Sequence, residues 1–233
     1  MLLLAANTSG KHGSITLARA DHDGFQALEI VALAGGTISA QLVPQIADLL
    51  ARHGICKQQL DGFVVASGPG SFTGLRVGLA AIKGLAEILH KPIAAVSILE
   101  VLALAAQSDG LIVAALDAGR GEAYTGEYAV AAGNAQFERE SLLNEEEFVA
   151  LARGRRPTVV TCDPLILGWG QRHGFEAARV EYPRSDALAR VGWKKLLAGE
   201  TVEPAELEAN YIRRSDAEIF AKQESGVRRR ESG

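Results

Sequence analysis

Residues 61–89 constrain this chain more than any other stretch. They run as a short apolar segment (62–66), a turn of sequence GPGSFTG (68–74) and a long, mostly apolar segment (75–89). The first reads as a buried strand. In the turn, Gly68 and Gly70 reach backbone angles that other residues avoid, Pro69 fixes one angle, and Ser71 and Thr73 are candidate helix N-caps. The third segment is predicted helix with an unusual surface. Leu75, Leu79, Ile82, Ala86 and Leu89 form a large apolar stripe, and Gly74, Gly78, Ala81 and Leu85 form a second, mostly small one. The charges Arg76, Lys83 and Glu87 share one narrow side. A helix apolar around most of its girth needs cover on more than one face. One cover is its own sheet; the other is a second helix or another protein.

The 233 residues suit one large domain or two small ones. Hydrophobic residues make up 48%, enough for a real core, and the formal net charge of −4 argues against a stand-alone nucleic-acid binder, which is ordinarily basic. Cys56 and Cys162 lack metal-ligand spacing and read as reduced thiols. The apolar run at 2–6 is too short for a signal-peptide core and has no basic flank. No segment reads as a membrane span, since Arg76, Lys83 and Glu87 interrupt the longest apolar helix. The expected compartment is the cytoplasm.

In chain order, strands are expected at 2–8, 14–19 and 25–33, then a helix over 40–53 capped by Ser39 and carrying Leu42, Ile46, Leu49 and Leu50. After the central stretch comes a strand at 93–96. Ser97 is expected to cap a helix over 98–107, with Glu100 closing a capping box. Residues 111–117 then repeat the opening of the chain: an apolar strand ending in a polar residue, a glycine-bearing turn and a returning strand, 122–128. Recurrence half a chain apart suggests two related lobes. A strand at 136–142 leads to a helix whose acidic start, 145–147, is capped by Asn144. Residues 157–161 read as a strand, 163–174 have no clear assignment, and Ser185 is expected to cap a helix over 186–197. Residues 201–208 read as a linker, 211–213 as a last strand, and the chain beyond residue 221 as disordered.

The loop at 68–74 has the look of a phosphate cradle, since a glycine turn feeding a helix N-terminus presents free N–H groups. It lacks the Walker A spacing and its lysine, and Thr73 stands where a Gly-x-Gly-x-x-Gly motif needs glycine. Asn7 and Asp117 each end an apolar strand before a turn, where paired carboxylates hold Mg²⁺ in nucleotide enzymes; equally, Asn and Asp are turn formers. The five histidines offer no i, i+4 pair, and His53 and His90 fall at helix ends, where a cation suits the dipole. No Gly-x-Ser-x-Gly elbow occurs. Arg228 to Arg230 form a basic run that reads as a solvated tail or a contact for RNA phosphate.

Residues 67–78 (SGPGSFTGLRVG) with 91–97 (KPIAAVS) closely resemble the bacterial TsaB (YeaZ) proteins. Residues 7–9 (NTS) resemble that family's Asp-Thr-Ser opening, 116–124 its second-lobe opening and 211–213 (YIR) its C-terminal motif. The resemblance implies an α/β, two-lobed actin/Hsp70/sugar-kinase-like (ribonuclease H-like) fold with mixed sheets and flanking helices. It implies a non-catalytic role in forming threonylcarbamoyladenosine in tRNA beside the anticodon. A TsaD-type paralogue would carry the metal and the chemistry, and a small TsaE-type ATPase would dock on the pair. The isolated chain would form a homodimer through the same N-lobe helices, meet tRNA only through the complex, and need no cofactor.

Three departures bear on catalysis. Residues 38–40 (ISA) stand where the family commonly has His-Ser-Glu, Asn7 replaces the opening Asp, and 162–164 (CDP) replace a Gly-x-Gly. Each removes a feature that a nucleotide or metal site would use. The expected partner interface is therefore Leu42, Ile46, Leu49, Leu75, Leu79 and Ile82. Asn7, Gly68, Gly70, Ser71, Thr73 and Asp117 form a vestigial nucleotide loop, with no catalytic residue and no metal ligand. The expected division is an N-terminal lobe at 1–109, a C-terminal lobe at 110–183, a returning helix and strand at 184–221, and a tail at 222–233. Two enzyme readings stand beside this one: a small nucleotide-dependent phosphotransferase using the 68–74 loop and Asp117, and a metallopeptidase, which the missing His pair disfavours.

Overall fold

The computed structural model describes residues 1–21, 24–34 and 36–212. Two five-stranded sheets repeat one plan. In the first, β1 (Leu2–Asn7) pairs antiparallel with β2 (Gly13–Asp21), which pairs antiparallel with β3 (Gly24–Leu33); β4 (Gly62–Gly68) and β5 (Ile93–Ser97) extend the other side in parallel, giving the order β3-β2-β1-β4-β5. The second repeats it with β6 (Gly110–Gly119), β7 (Glu122–Ala131), β8 (Asn134–Asn144), β9 (Thr158–Thr161) and β10 (Ala177–Arg179), in the order β8-β7-β6-β9-β10. The recurrence legible at 2–17 and 111–128 is thus the head of a duplicated unit, and the α/β two-lobed fold is observed.

Helices repeat as well. α1 (Ile38–Arg52) and α4 (Glu145–Gly154) link the third strand of each unit to the fourth; α2 (Phe72–Leu89) and α5 (Pro164–His173) link the fourth to the fifth. The closing helices cross over. α3 (Ile98–Ala105) follows the first sheet and packs on β6, β7 and β8, while α6 (Ser185–Ala198) follows the second and packs on β1, β2, β4 and β5. This exchange binds the lobes into one core. Along β6, Ile112, Ala114 and Leu116 face that shared core, whereas Val113 and Ala115 face a smaller cluster with Phe148, Ile166 and Trp169 under α4 and α5. Both faces of β6 are covered, so the strand reads as continuous apolar sequence.

Local differences have local causes. α1 begins at Ile38 after Thr37, and Ser39 is an exposed helical residue rather than the cap. α6 begins at Ser185, whose hydroxyl is instead buried against Thr16 Oγ1 at 2.7 Å. The stretch 163–174 is helix α5; Gly168 and Gly170 dilute its helical signal. Residues 201–208 are fastened: Val202 bridges Ile93, and Pro204–Glu206 form a single 3₁₀ turn. Tyr211 and Ile212 are not in a strand, while Arg213 and the basic tail lie outside the described residues. Asn144 caps α4 with Glu147 closing the box.

Ser97 caps α3, accepting from the Leu99 N–H at 3.2 Å, but Glu100 does not complete a box; it meets Lys195 of α6 at 3.2 Å. Burial pushes the Glu100 pKa up, with the Lys195 ammonium opposing. A raised folded-state pKa means that folding favours the protonated acid, so stability contributed at low pH is lost as pH rises through that pKa. Glu100→Gln keeps the shape without burying a charge. Thermal melts at pH 7.5 are expected to show stability between unchanged and about 1 kcal/mol higher. The difference should shrink toward pH 4. A loss above about 2 kcal/mol at pH 7.5 would instead mean that the Lys195 pair outweighs desolvation.

Candidate functional site

A cleft of about 520 Å³ opens between the lobes, where the β1–β2 turn, the start of α1, the β4–α2 turn and the end of β6 converge. Gly70, Ser71, Thr73 and Asp117 line it, and Lys11, Asp163 and Tyr182 join them. Asn7 and Gly68 are not among its lining residues.

The floor is built by a close approach of β1 to α2. A Cβ on Gly74 would lie 2.0 Å from Thr8 O, and one on Gly78 would lie 2.2 Å from Thr8 Oγ1. The glycines of the 70–78 segment therefore serve backbone-to-backbone packing, which only a missing side chain permits. Hydrogen bonds fix the contact: Ser71 N–H donates to Ser9 O at 2.7 Å, and Thr8 Oγ1 donates to Gly74 O at 2.7 Å. Ser71 is the N-cap of α2, its Oγ accepting from Gly74 N–H at 3.2 Å. Two of the N–H groups that a phosphate cradle would offer are thus spent inside the chain.

Asn7 is held from both ends. Its Nδ2 donates to Pro183 O at 2.7 Å, and its Oδ1 accepts from Ser9 N–H at 3.0 Å and from Ser9 Oγ. Because that hydroxyl's proton goes to Asn7, Tyr182 OH is the donor in its 2.8 Å contact with Ser9 Oγ. Burial pushes the Tyr182 phenol up to about 12, so it stays a donor across the ordinary pH range. An aspartate at position 7 would face the Pro183 carbonyl with no proton to give. The amide at this position is what the local bonding requires. Gly68 has φ +131°, and Asn210 O occupies the space where its Cβ would lie.

On the second lobe, β6 and β9 run side by side, with a carboxylate near the end of each. Asp163 Oδ2 accepts from Asp117 N–H, and Asp117 Oδ1 accepts from Gly119 N–H, each at 2.7 Å. Burial raises the Asp163 pKa; the Asp117 N–H opposes this and the Asp117 charge adds to it. Among the described residues no set of three or more His, Cys, Asp or Glu is placed to hold a metal ion. Asp117 lies near the end of β6 and Asp163 two residues past the end of β9. Tyr182 carries no sequence signal, standing in an aperiodic segment before α6.

The partner-face expectation needs correction. Leu42, Ile46 and Leu49 of α1 and Leu75, Leu79 and Ile82 of α2 are all buried in the chain's own core. Periodicity marks which faces of a helix are apolar but not which one the sheet takes, and the larger side chains go where they bury most area. What stays outside on α2 is neither predicted stripe, since Gly74 and Gly78 of the small one are buried against Thr8. Ala40, Val43, Pro44, Ala47 and Ala51 of α1 are exposed. Along α2, Thr73, Val77, Ala80, Ala81, Gly84 and Ile88 are exposed or half-buried. Val43 is 56% exposed and Ile88 73%. The spacings put each set on one helix face, and α1 and α2 pack side by side.

This α1–α2 region falls inside the match to a known family: the family model described as "TsaD: tRNA N6-adenosine threonylcarbamoyltransferase" matches residues 33–158. The chain belongs to that family. Within it the similarity is to TsaB (YeaZ) proteins. The "tRNA threonylcarbamoyladenosine biosynthesis protein TsaB" of Bacillus subtilis is 40% identical over 129 residues, 55% of each chain. The TsaB of Escherichia coli is 28% identical over 187 residues, 76% of this chain and 81% of that protein. The chain spans about half the length of the Bacillus and Haemophilus influenzae relatives it matches. The solved structure of YeaZ from Pseudomonas aeruginosa superposes with a TM-score of 0.74 at 26% identity, over 91% of this chain and 100% of that one.

Proposed function

We propose that this chain is a partner subunit in the formation of threonylcarbamoyladenosine in tRNA, docking a TsaD-type catalytic paralogue through the exposed face of α1 and α2. The observation that carries this reading is the exposed small apolar residues on two adjacent helices, Val43 and Ala47 on α1 and Ala80, Gly84 and Ile88 on α2. Such a face lets another pair of helices approach closely and resembles an obligate interface more than ordinary surface. The self-bonded cleft floor supports a non-catalytic part, with the bond-making left to the paralogue. A TsaE-type ATPase completes the assembly, tRNA is met through the complex in the cytoplasm, and the isolated chain pairs with a second copy through the same face.

The test is light scattering on this chain alone and mixed with the TsaD-type protein of its own cell. Ile88→Glu is expected to weaken both pairings by about 30-fold or more, the loss typical of a central interface anchor, with the melting temperature unchanged. Wild-type protein that binds neither partner at micromolar concentration would remove the docking reading.

A phosphotransferase reading draws on the cleft, which Lys11, Ser71, Thr73 and Asp117 all line. Calorimetric titration with ATP and ADP in the presence of Mg²⁺ separates the two. Tight metal-dependent binding with turnover would favour the enzyme.

A further inference from the structure

The segment after α6 runs back along the first lobe as a strap. Val202 N–H donates to Ile93 O at 2.9 Å, Leu207 is buried, Lys83 Nζ donates to Ala205 O at 3.3 Å, and Asn210 N–H donates to Ser67 O at 2.7 Å. At its end Arg76 Nε donates to Tyr211 OH at 3.0 Å, while the guanidinium lies 3.6 Å over the Phe72 ring. The strap thus flanks α2 along the side that carries Arg76 and Lys83. Its one hydrogen-bond anchor on the other lobe, among the contacts described, is Glu140 of β8.

Glu140 gathers donors from three places. Its Oε1 accepts from Ser97 Oγ at 2.6 Å, at the junction of β5 and α3, and from Tyr128 OH at 3.1 Å, on β7. Its Oε2 accepts from Asn210 Nδ2 of the strap. None of these donors carries a charge, and no salt bridge to Glu140 occurs among the described residues. The neighbouring acid Glu100 is engaged with Lys195. A carboxylate held by three neutral donors is strongly oriented. It divides its labour by atom: one oxygen ties the lobes, the other ties the strap.

We infer that Glu140 is a bolt that holds the strap against α2 from the opposite lobe, so that strap closure and lobe contact form one coupled device. The inference rests on the Glu140 hub alone and stands whether or not the α1–α2 face docks a partner. The division of labour makes it testable by polarity reversal. Glu140→Gln keeps an acceptor at Oε1 for Ser97 and Tyr128 but turns an N–H₂ toward Asn210, which can meet it only by turning over to present its Oδ1, a neutral bond in place of a charge-assisted one. Asn210→Asp turns a carboxylate toward the Glu140 carboxylate. In the double variant the new amide at position 140 donates to the new carboxylate at position 210, and the bond returns with its polarity swapped.

Hydrogen exchange read by mass spectrometry is the measurement. Asn210→Asp, which sets two carboxylates against each other, is expected to speed exchange in residues 202–212 by about tenfold or more, and Glu140→Gln, which leaves a neutral bond in place of a charge-assisted one, by about threefold or more. Exchange in β1 and β6 should stay unchanged. The double variant should return residues 202–212 to within about threefold of wild type, since a singly charged bond replaces the original. Asn210 is exposed, so Asn210→Asp does not threaten the core. Unchanged strap exchange in Asn210→Asp would overturn the inference. Faster exchange in both singles without recovery in the double would overturn it too, showing strap loosening that does not pass through this pair.

Discussion

Ile82→Glu is expected to abolish folding at 37 °C, whereas Ala80→Glu, two residues away on the same helix, should leave the fold intact and abolish pairing. Ile82 is fully buried between α2 and the first sheet. Its replacement forfeits about 2–3 kcal/mol of apolar burial. It also drives a carboxylate into an apolar core, which adds several kcal/mol or forces protonation. The sum, on the order of 5 kcal/mol, matches the whole stability of many domains. Ala80 faces outward, so a glutamate there stays hydrated, and its cost falls on any partner that must cover it. Urea melts followed by circular dichroism check the first statement; light scattering checks the second. If Ile82→Glu remained folded and lost only pairing, the burial assigned to the large stripe would be wrong and the docking face would be the other one.

That pair of variants marks how far the sequence could be read. The α2 helix, its capping by Ser71, the turn before it and the two-lobed repeat are all legible, because periodicity, cap chemistry and strand–turn alternation are local signals. Which stripe of α2 meets the sheet is not local. Both predicted stripes are apolar, and the fold buries members of each: Leu75, Leu79 and Ile82 in the core, Gly74 and Gly78 against Thr8, leaving Ala80, Gly84 and Ile88 outside. The cleft shows the same limit. Gly70, Ser71, Thr73 and Asp117 announce a turn site on their own. Tyr182 and Pro183 reach Ser9 and Asn7 from about 175 residues away in sequence, and no spacing rule spans that gap. The helix α5 is illegible for a third reason: two glycines hide a helix whose stability comes from burying Trp169 against Phe148, with ring centroids 5.4 Å apart.

Gly74→Ala is expected to destabilise the chain by about 3 kcal/mol, even though alanine is the better helix former by about 1 kcal/mol. The new methyl would sit 2.0 Å from Thr8 O, on a backbone that the β1–β2 and β1–β4 ladders hold in place. Nor can α2 withdraw. Leu75 and Ile82 are locked into the core beneath it, and the Ser71 N–H to Ser9 O bond sits one turn away. Relief must come from displacing the cleft floor itself, so the Ser9–Tyr182 contact should loosen and the tyrosine become easier to ionise. Gly84→Ala is the matched control on the same helix. Nothing lies within 4 Å of its added carbon, so that variant should gain up to about 1 kcal/mol. Denaturant midpoints for the two variants read the contrast directly. Equal stability in Gly74→Ala and wild type would mean that β1 and α2 are not in the contact on which the closed floor of the cleft depends.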